Sequence, residues 1–368
     1  METPGPRART CPLHRAAAAV ALLLLSACSP AAGSPSAGDP AVEGFVPAPG
    51  AGSSTAAPLT VAVAGDVHFA GSSAAALEPG GLDAIAPLLS AADVAVVNVE
   101  TAITTGGTPA AKRFTFAAPP AALGALRSAG VDVAAMANNH ALDRGRDGLA
   151  DTLAAGASQG VPLVGIGADA DAAHAPWTTS VRGHRLAVFD ATQVLDSSLA
   201  ADWTAGPRHG GVASVKSAAG RQRLLSGVRA AAGSGASVVV VLHWGEELAG
   251  CPLPAQEELA DALVAAGADA VVGSHAHRLL GGGWKEAGGR TGYVDYGLGN
   301  FVFYARQGVT TRTGVLLLTL PGDGGAADAR WEPARIVSGV PVPLTGAEAA
   351  RAVEDEEALR GCTDLHGR

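Results

Sequence analysis

The residues best suited to chemistry stand directly behind apolar runs. Gly65-Asp66-Val67-His68 comes first, then Asn98-Val99-Glu100 and Asn138-Asn139-His140. Much later follow His243-Trp244-Gly245-Glu246-Glu247 and Gly273-Ser274-His275-Ala276-His277. Carboxylate, amide and imidazole donors in this mixture suit a pair of borderline-hard divalent cations such as Mn, Zn or Fe. Two such ions hold and polarise a phosphoryl-type oxygen and make a nucleophile of water.

Each group has a plainer explanation beside the chemical one. Asp66 and His68 are two apart on a turn, a spacing that suits one ion but is weak alone. Asn98 and Glu100 could equally cap a helix or satisfy loop backbone. Two asparagines and a histidine after a buried strand are costly unless their polar groups find partners. Those partners are either a loop network with Asp143 and Arg144 or a metal on the Asn139 oxygen. His140 then faces the substrate as an acid or a hydrogen-bond donor. The alternating pair His275 and His277 is the best single signal, against two solvated loop histidines. Trp244 is read as a wall of the site. Glu246 or Glu247 is read either as orienting a histidine or as a solvated acid. Asn300, in the turn Tyr296-Gly297-Leu298-Gly299-Asn300-Phe301, either braces the site or closes a tight turn. His174, His184, His209 and His366 read as surface or loop residues, though His209 beside Arg208 could approach an anion.

The elements that must position these groups follow from the apolar runs. Leu59 to Ala64, Ala92 to Val97, Val131 to Ala137, Ser237 to Leu242 and Ala268 to Val272 read as buried strands. Continuous rather than alternating apolar residues predict sheets covered on both faces. Pro119 to Ala129, Arg146 to Gln159, Ala219 to Ala232 and Pro254 to Ala266 read as helices between them. Strands alternating with helices predict a layered α/β architecture. The ligand candidates all sit at strand C-terminal ends, where open α/β sheets place their sites. Tyr293 to Tyr304, Thr313 to Leu320 and Ala329 to Val337 read as further strands, expected to form a second sheet on the first. Ala347 to Leu359 reads as a closing helix.

The chain has 368 residues, is 48% hydrophobic and 16% charged, and carries a net charge of -9. It can bury a large core. The negative balance argues against nucleic acid as a partner and against a basic membrane-binding face. Bound cations would still admit an anionic substrate. Arg7, Arg9 and Arg15 precede an apolar run, Ala16 to Leu25, too short for an ordinary membrane span. Leu25-Ser26-Ala27-Cys28 then resembles a bacterial lipobox, with Cys28 as the lipidated residue. Plain cleavage near Ala27 and an uncleaved anchor are the alternatives. The expected organisation is a signal segment over 1–28 and a Pro/Ala/Gly/Ser-rich tether over 29–57. A main domain over 58–345 and a C-terminal helix and tail over 346–368 follow. Cys251 and Cys362 are the cysteines left in the globular part; in an oxidising compartment they could pair.

Taken together, these motifs resemble the CapA family of capsule and poly-γ-glutamate synthesis proteins, a branch of the calcineurin-like metallophosphoesterases. Ala64-Gly65-Asp66-Val67, Asn98-Val99-Glu100-Thr101, Met136 to Asp143, Leu242 to Glu247 with Pro252 and Gln256, Gly267 to Gly273 and Tyr296 to Phe303 carry the likeness. The resemblance implies a layered α/β/β/α metallophosphoesterase-like sandwich with the site at strand C-terminal ends. It implies Asp66, Glu100, Asn139, His243, His275 and His277 as metal ligands, with Glu100 bridging two ions and His140 as the catalytic imidazole. His68 completes the hydrolytic superfamily's pattern, where many CapA-like chains have lost it. Glu100 stands where the superfamily usually has Asp, and Asn138 where it usually has Gly. The implied setting is extracytoplasmic, lipid-anchored to the outer face of the cell membrane. The implied partners are an anionic envelope polymer or its precursor and membrane-bound synthesis proteins, served by an enzyme or by a non-catalytic assembly subunit.

Overall fold

A computed structural model describes residues 56–322 and 325–368. Contacts divide the chain into two units, Met1–Ala48 and Pro49–Arg368, and every described residue belongs to the second. The signal segment, Cys28 and nearly all of the 29–57 tether lie outside the described residues. Among the described residues, no helix is long and apolar enough to cross a membrane.

In chain order, the strands that build the site region begin with β1 (Ala56–Val67), β2 (Val94–Val99), β3 (Val133–Ala135) and β4 (Leu163–Val164). Next come β5 (Trp177–Val181), β6 (His184–Thr192), β7 (Ser237–His243) and β8 (Ala270–Ser274). Then follow β9 (Gly282–Ala287), β10 (Arg290–Asp295) and β11 (Asn300–Val302). The last are β12 (Arg312–Gly322), β13 (Asp328–Val337) and β14 (Val340–Pro343). The helices packed on them are α1 (Ala121–Ser128), α2 (Gly145–Gln159), α3 (Ala218–Gly233), α4 (Pro254–Ala266) and α5 (Gly346–Leu359).

Two sheets result. The first runs β14-β13-β12-β1-β2-β3-β4, with β11 also paired to β1. The second runs β9-β10-β8-β7-β6-β5. β1, β2, β3 and β4 pair in parallel, as do β6, β7, β8 and β10.

Side-chain alternation explains the layering. Val61 and Val63 of β1 enter a core shared with Val188 of β6 and Val239 and Val241 of β7, between the sheets. Ala62 and Ala64 face the opposite way, into a core with Leu123, Leu126 and Leu149 of α1 and α2. Val238, Val240 and Leu242 meet Leu224, Val228, Leu259 and Leu263 of α3 and α4. Both faces of each sheet are buried, so the strands read as unbroken apolar runs. The order helix, sheet, sheet, helix is the α/β/β/α sandwich.

Four details differ from the sequence reading. β1 starts at Ala56, so the last two residues assigned to the tether are strand. β12 and β13 add antiparallel to the first sheet through β1 instead of forming the second. The second sheet is built on β7 and β8 together with β6, which was not read as a strand. The run Tyr293 to Tyr304 splits: β10 joins the second sheet and β11 the first, around the turn at Gly297 and Gly299. That turn comes so close to β1 that a Cβ on Gly65 would lie 1.9 Å from the Gly299 carbonyl. The Asp66 amide donates to that same carbonyl at 2.9 Å.

The tail is pinned. Cys251 and Cys362 form a disulfide. Trp284 of β9 and His366 exchange backbone hydrogen bonds of 2.9 Å. Buried Lys285 pairs with Asp364 and, at 3.0 Å, with Asp261.

Candidate metal centre

The strand ends of the two sheets converge. Asp66 leaves β1, and Glu100 follows β2. Asn138, Asn139 and His140 follow β3. From the other sheet, His243 closes β7, and His275 and His277 follow β8. His275 and His277 hold φ of 92° and 55°, a left-handed conformation that non-glycine residues seldom adopt. Such local strain persists where surrounding structure over-determines it, commonly at functional sites.

Glu100, His275 and His277 bring ligand atoms within 4.8 Å of one another, a group able to hold a metal ion. Both Glu100 carboxylate oxygens and His275 Nδ1 are buried without a hydrogen-bond partner. Unsatisfied buried acceptors of this kind are rare, and a cation satisfies them. Burial, followed by the charge of Asp66, pushes the Glu100 carboxyl up to about 8. Burial takes His243 down to about 3 and holds His275 well below its ordinary value. Neutral imidazoles are the form that ligates metals.

Asp66 and His277 behave oppositely. Burial would raise Asp66, but the His277 hydrogen bond and the His277 and His243 charges hold it at about 2. Burial would lower His277, but Glu100 and Asp66 raise it to about 9. His277 Nδ1 lies 3.2 Å from Asp66 Oδ2 and 2.9 Å from Asn300 Oδ1. Asn300 therefore braces His277, and its own amide donates to the His277 and Thr310 carbonyls.

Amides join the two halves. Asn98 Nδ2 donates to Asp66 Oδ1 at 2.7 Å and lies 3.2 Å from His243 Nδ1. Asn138 Nδ2 donates to Asn98 Oδ1 and to the Val99 carbonyl, and Asn138 Oδ1 accepts the His140 amide. His243 Nε2 lies 2.8 Å from Asn139 Oδ1 and 3.4 Å from Glu100 Oε1. Ser274 Oγ is 3.0 Å from His243 Nδ1.

His140 Nδ1 donates to Asp143 Oδ2 at 2.6 Å. That bond leaves Nε2 turned towards Glu100, 3.9 Å away. Asp143 thus orients the imidazole instead of serving only a loop network. It also accepts from the Phe116 amide at 2.6 Å and pairs with Lys112 at 3.0 Å. Lys112, whose ammonium also reaches the Asn139 carbonyl, was missed by the sequence reading. It sits in a loop far upstream of its partners, with no apolar run to mark it.

His68 is held differently from the other imidazoles. The Ala70 amide donates to its Nδ1 at 3.1 Å, which leaves Nε2 as the protonated nitrogen. Ligation through Nε2 requires the ring proton on Nδ1, shared with Ser73 Oγ at 3.0 Å. Phe116, Phe303 and Tyr304 surround the ring at 4.6, 3.9 and 4.6 Å between centroids. Burial takes His68 down to about 3.

Trp244 does not wall the site. It is fully buried, donates from Nε1 to the Tyr296 carbonyl at 3.0 Å, and packs behind the strand end. Glu246 and Glu247 are exposed. Glu247 bears on His277 through charge. His184 is no surface residue: it is buried, bonding between the Ala57 carbonyl and Ser237 Oγ.

Residues 60–305 match the family model described as bacterial capsule synthesis protein PGA_cap. The chain belongs to that family. This PGA_cap chain is 34% identical to the capsule biosynthesis protein CapA of Bacillus anthracis, over 61% of the chain and 52% of the relative. It is 33% identical to the PGA biosynthesis protein CapA of Bacillus subtilis, over 56% of the chain and 52% of the relative. The chain spans about half the length of the curated relatives it matches. A crystal structure of a phosphatase from Mycoplasma pneumoniae covers 80% of the PGA_cap chain and 97% of its own, at TM-score 0.48 and 12% identity.

Proposed function

We propose that this protein is a surface lipoprotein, anchored through Cys28 outside the cell membrane, that acts as a metal-dependent hydrolase or transferase. Its substrate is an anionic envelope polymer, poly-γ-glutamate or a relative, or a precursor of one, handled with membrane-bound synthesis partners. The observation that carries the chemistry is the buried, unpartnered Glu100 carboxylate facing His275 and His277.

Two divalent ions held by Asp66, His68, Glu100, Asn139, His243, His275 and His277 would supply positive charge for an oxyanion. The chain's own groups do the rest. Asp143 holds the Nδ1 proton of His140, so Nε2 faces the reacting group and, once the ring takes up a second proton as imidazolium, can pass that proton to the leaving group. Asn98 and Asn138 hold Asp66, His243 and His140 in one register. Phe116, Phe303 and Tyr304 shield His68 from water. A second, non-catalytic role in polymer assembly is supported by Asp66 and His277, which already satisfy each other as an ion pair.

Elemental mass spectrometry on the full chain tests the metal centre. About two transition-metal ions per chain, lost in His275→Ala/His277→Ala, is the expected result. No bound metal would remove the hydrolytic reading and leave the assembly role. Cys28→Ser should abolish incorporation of labelled palmitate; unchanged labelling would sink the lipid anchor.

A further inference from the structure

Three rings surround His68, and one of them differs from the others. Phe116 and Phe303 carry no polar side-chain atom, whereas Tyr304, just beyond β11, carries a hydroxyl. Phe303 is 6% exposed and Tyr304 36%, so Tyr304 is the outer ring, at the mouth of the metal centre. A third phenylalanine would shield His68 equally well. The hydroxyl needs a separate reason.

The ring is held on several sides. The Phe303 amide donates to the Gly339 carbonyl at 3.1 Å, which pins the backbone one residue earlier. The Tyr304 ring lies 4.6 Å from His68, 5.0 Å from Phe303 and 6.1 Å from Phe116. Its Cβ packs over Gly71, where an added Cβ would lie 3.4 Å away. Phe116 in turn lies 4.6 Å from His140, so the phenol and that imidazole share one mouth.

The hydroxyl is uncommitted. Among the described residues it makes no hydrogen bond, whereas Tyr296 gives its O–H to Asp364 at 2.7 Å. Burial, then the charges of Glu100 and Glu247, raise the Tyr304 hydroxyl above its ordinary value, so it keeps its proton and stays a donor. Glu100 does not accept that proton, since both its carboxylate oxygens lack a partner. A donor fixed by packing beside a reactive site is preorganised for an acceptor that arrives with a ligand. An oxyanion serves it better than water does, because hydrogen bonds to charged groups are the stronger ones.

We infer that Tyr304 is a substrate-contacting residue, its phenol donating a hydrogen bond to an oxygen of a phosphoryl or carboxylate group bound at the metal centre. This rests on the proposed function and gives the bound group a donor besides His140.

Isothermal titration of the full chain in Mn tests it, with inorganic phosphate and a γ-linked glutamate hexamer as probes and bound Mn counted in every sample. Tyr304→Phe keeps the ring and removes only the oxygen. It should weaken at least one probe by about tenfold or more and leave Mn uptake within about twofold. Tyr304→Leu, which removes the ring as well, should weaken the same probe at least as much. A loss with phosphate alone, or with the hexamer alone, names the source of the oxyanion and upholds the contact. Unchanged affinity in Tyr304→Phe overturns the inference, and a loss confined to Tyr304→Leu would leave the ring a wall and nothing more. A fall in Mn uptake matching the fall in probe affinity also overturns it, because Tyr304 would then act only by supporting His68. So does a parent that binds neither probe, whether or not it takes up Mn. Binding that Tyr304→Phe weakens, in a chain that takes up no Mn, would uphold the contact while removing the hydrolytic function.

Discussion

The two sheets bring different chemistry and hold it by different means. The first sheet contributes Asp66, His68, Glu100, Asn139 and His140, mostly carboxylate and amide, knit by side-chain hydrogen bonds through Asn98, Asn138, Asp143 and Lys112. The second contributes only imidazoles, and its β8 end relies on backbone bent into the left-handed region at His275 and His277. One half is braced by side-chain partners alone, while the other adds strained backbone to the contacts that Asn300 and Ser274 make with His277 and His243. A site built across a seam therefore needs its register set at two levels, within each half and between the halves.

Four perturbations separate these roles, ordered by their effect on metal affinity. His275→Ala/His277→Ala removes two of the proposed ligands from the strained half and should weaken Mn binding by more than about 100-fold in calorimetric titration. A smaller loss would place the ion on the first sheet alone. Asn98→Ala cuts the link between Asp66 and His243 and should cost about 10- to 100-fold in the same titration. An unchanged affinity would mean that each half holds its own register.

The third probes the seam behind the site. Asp190 of β6 accepts the Met136 and Ala137 amides of the first sheet at 2.7 and 2.6 Å. Burial lifts its carboxyl to about 7, against those amide donors. An unfolded Asp titrates near ~4, so the folded state holds the extra proton between there and about 7. Stability is then greatest on the acid side and falls as pH rises through that window. Asp190→Asn should flatten this part of the thermal melting profile, with a modest change in metal affinity. A profile identical to that of the parent would show that Asp190 does not titrate there.

The fourth should leave the site almost untouched. Cys362→Ser opens a bridge spanning 111 residues and should cost about 2–4 kcal/mol of stability in denaturant unfolding. Mn affinity should stay within about twofold, because the bridge meets the second sheet's loop well beyond His243. A larger loss would mean that this loop, and not the backbone at His275, sets the second half's register.

The strand ends were legible because buried strands leave an unmistakable apolar run and polar residues directly after one demand a reason. Their division between two sheets was not legible, since pairing is decided by long-range packing. β6 escaped notice because Asp190 interrupts its apolar run, and only the fold reveals the amides that satisfy it. Lys112 lies on a loop and Ser73 in a short 3-10 helix, Gly71–Leu77, where residue type alone says little. Trp244 was assigned to the wrong side of its strand end because a turn with positive φ at Gly245 redirects the chain there.

The pinned tail has a consequence beyond anchoring the C-terminus. β9 is the outer strand of the second sheet, and an uncovered outer strand offers free backbone groups to any passing chain. His366 occupies that outer face by pairing with Trp284, and Arg368 lies over the Trp284 ring at 4.7 Å. Trimming the chain after Leu359 would leave every proposed metal ligand in place yet expose a sticky margin, so such a truncation should fail first by self-association.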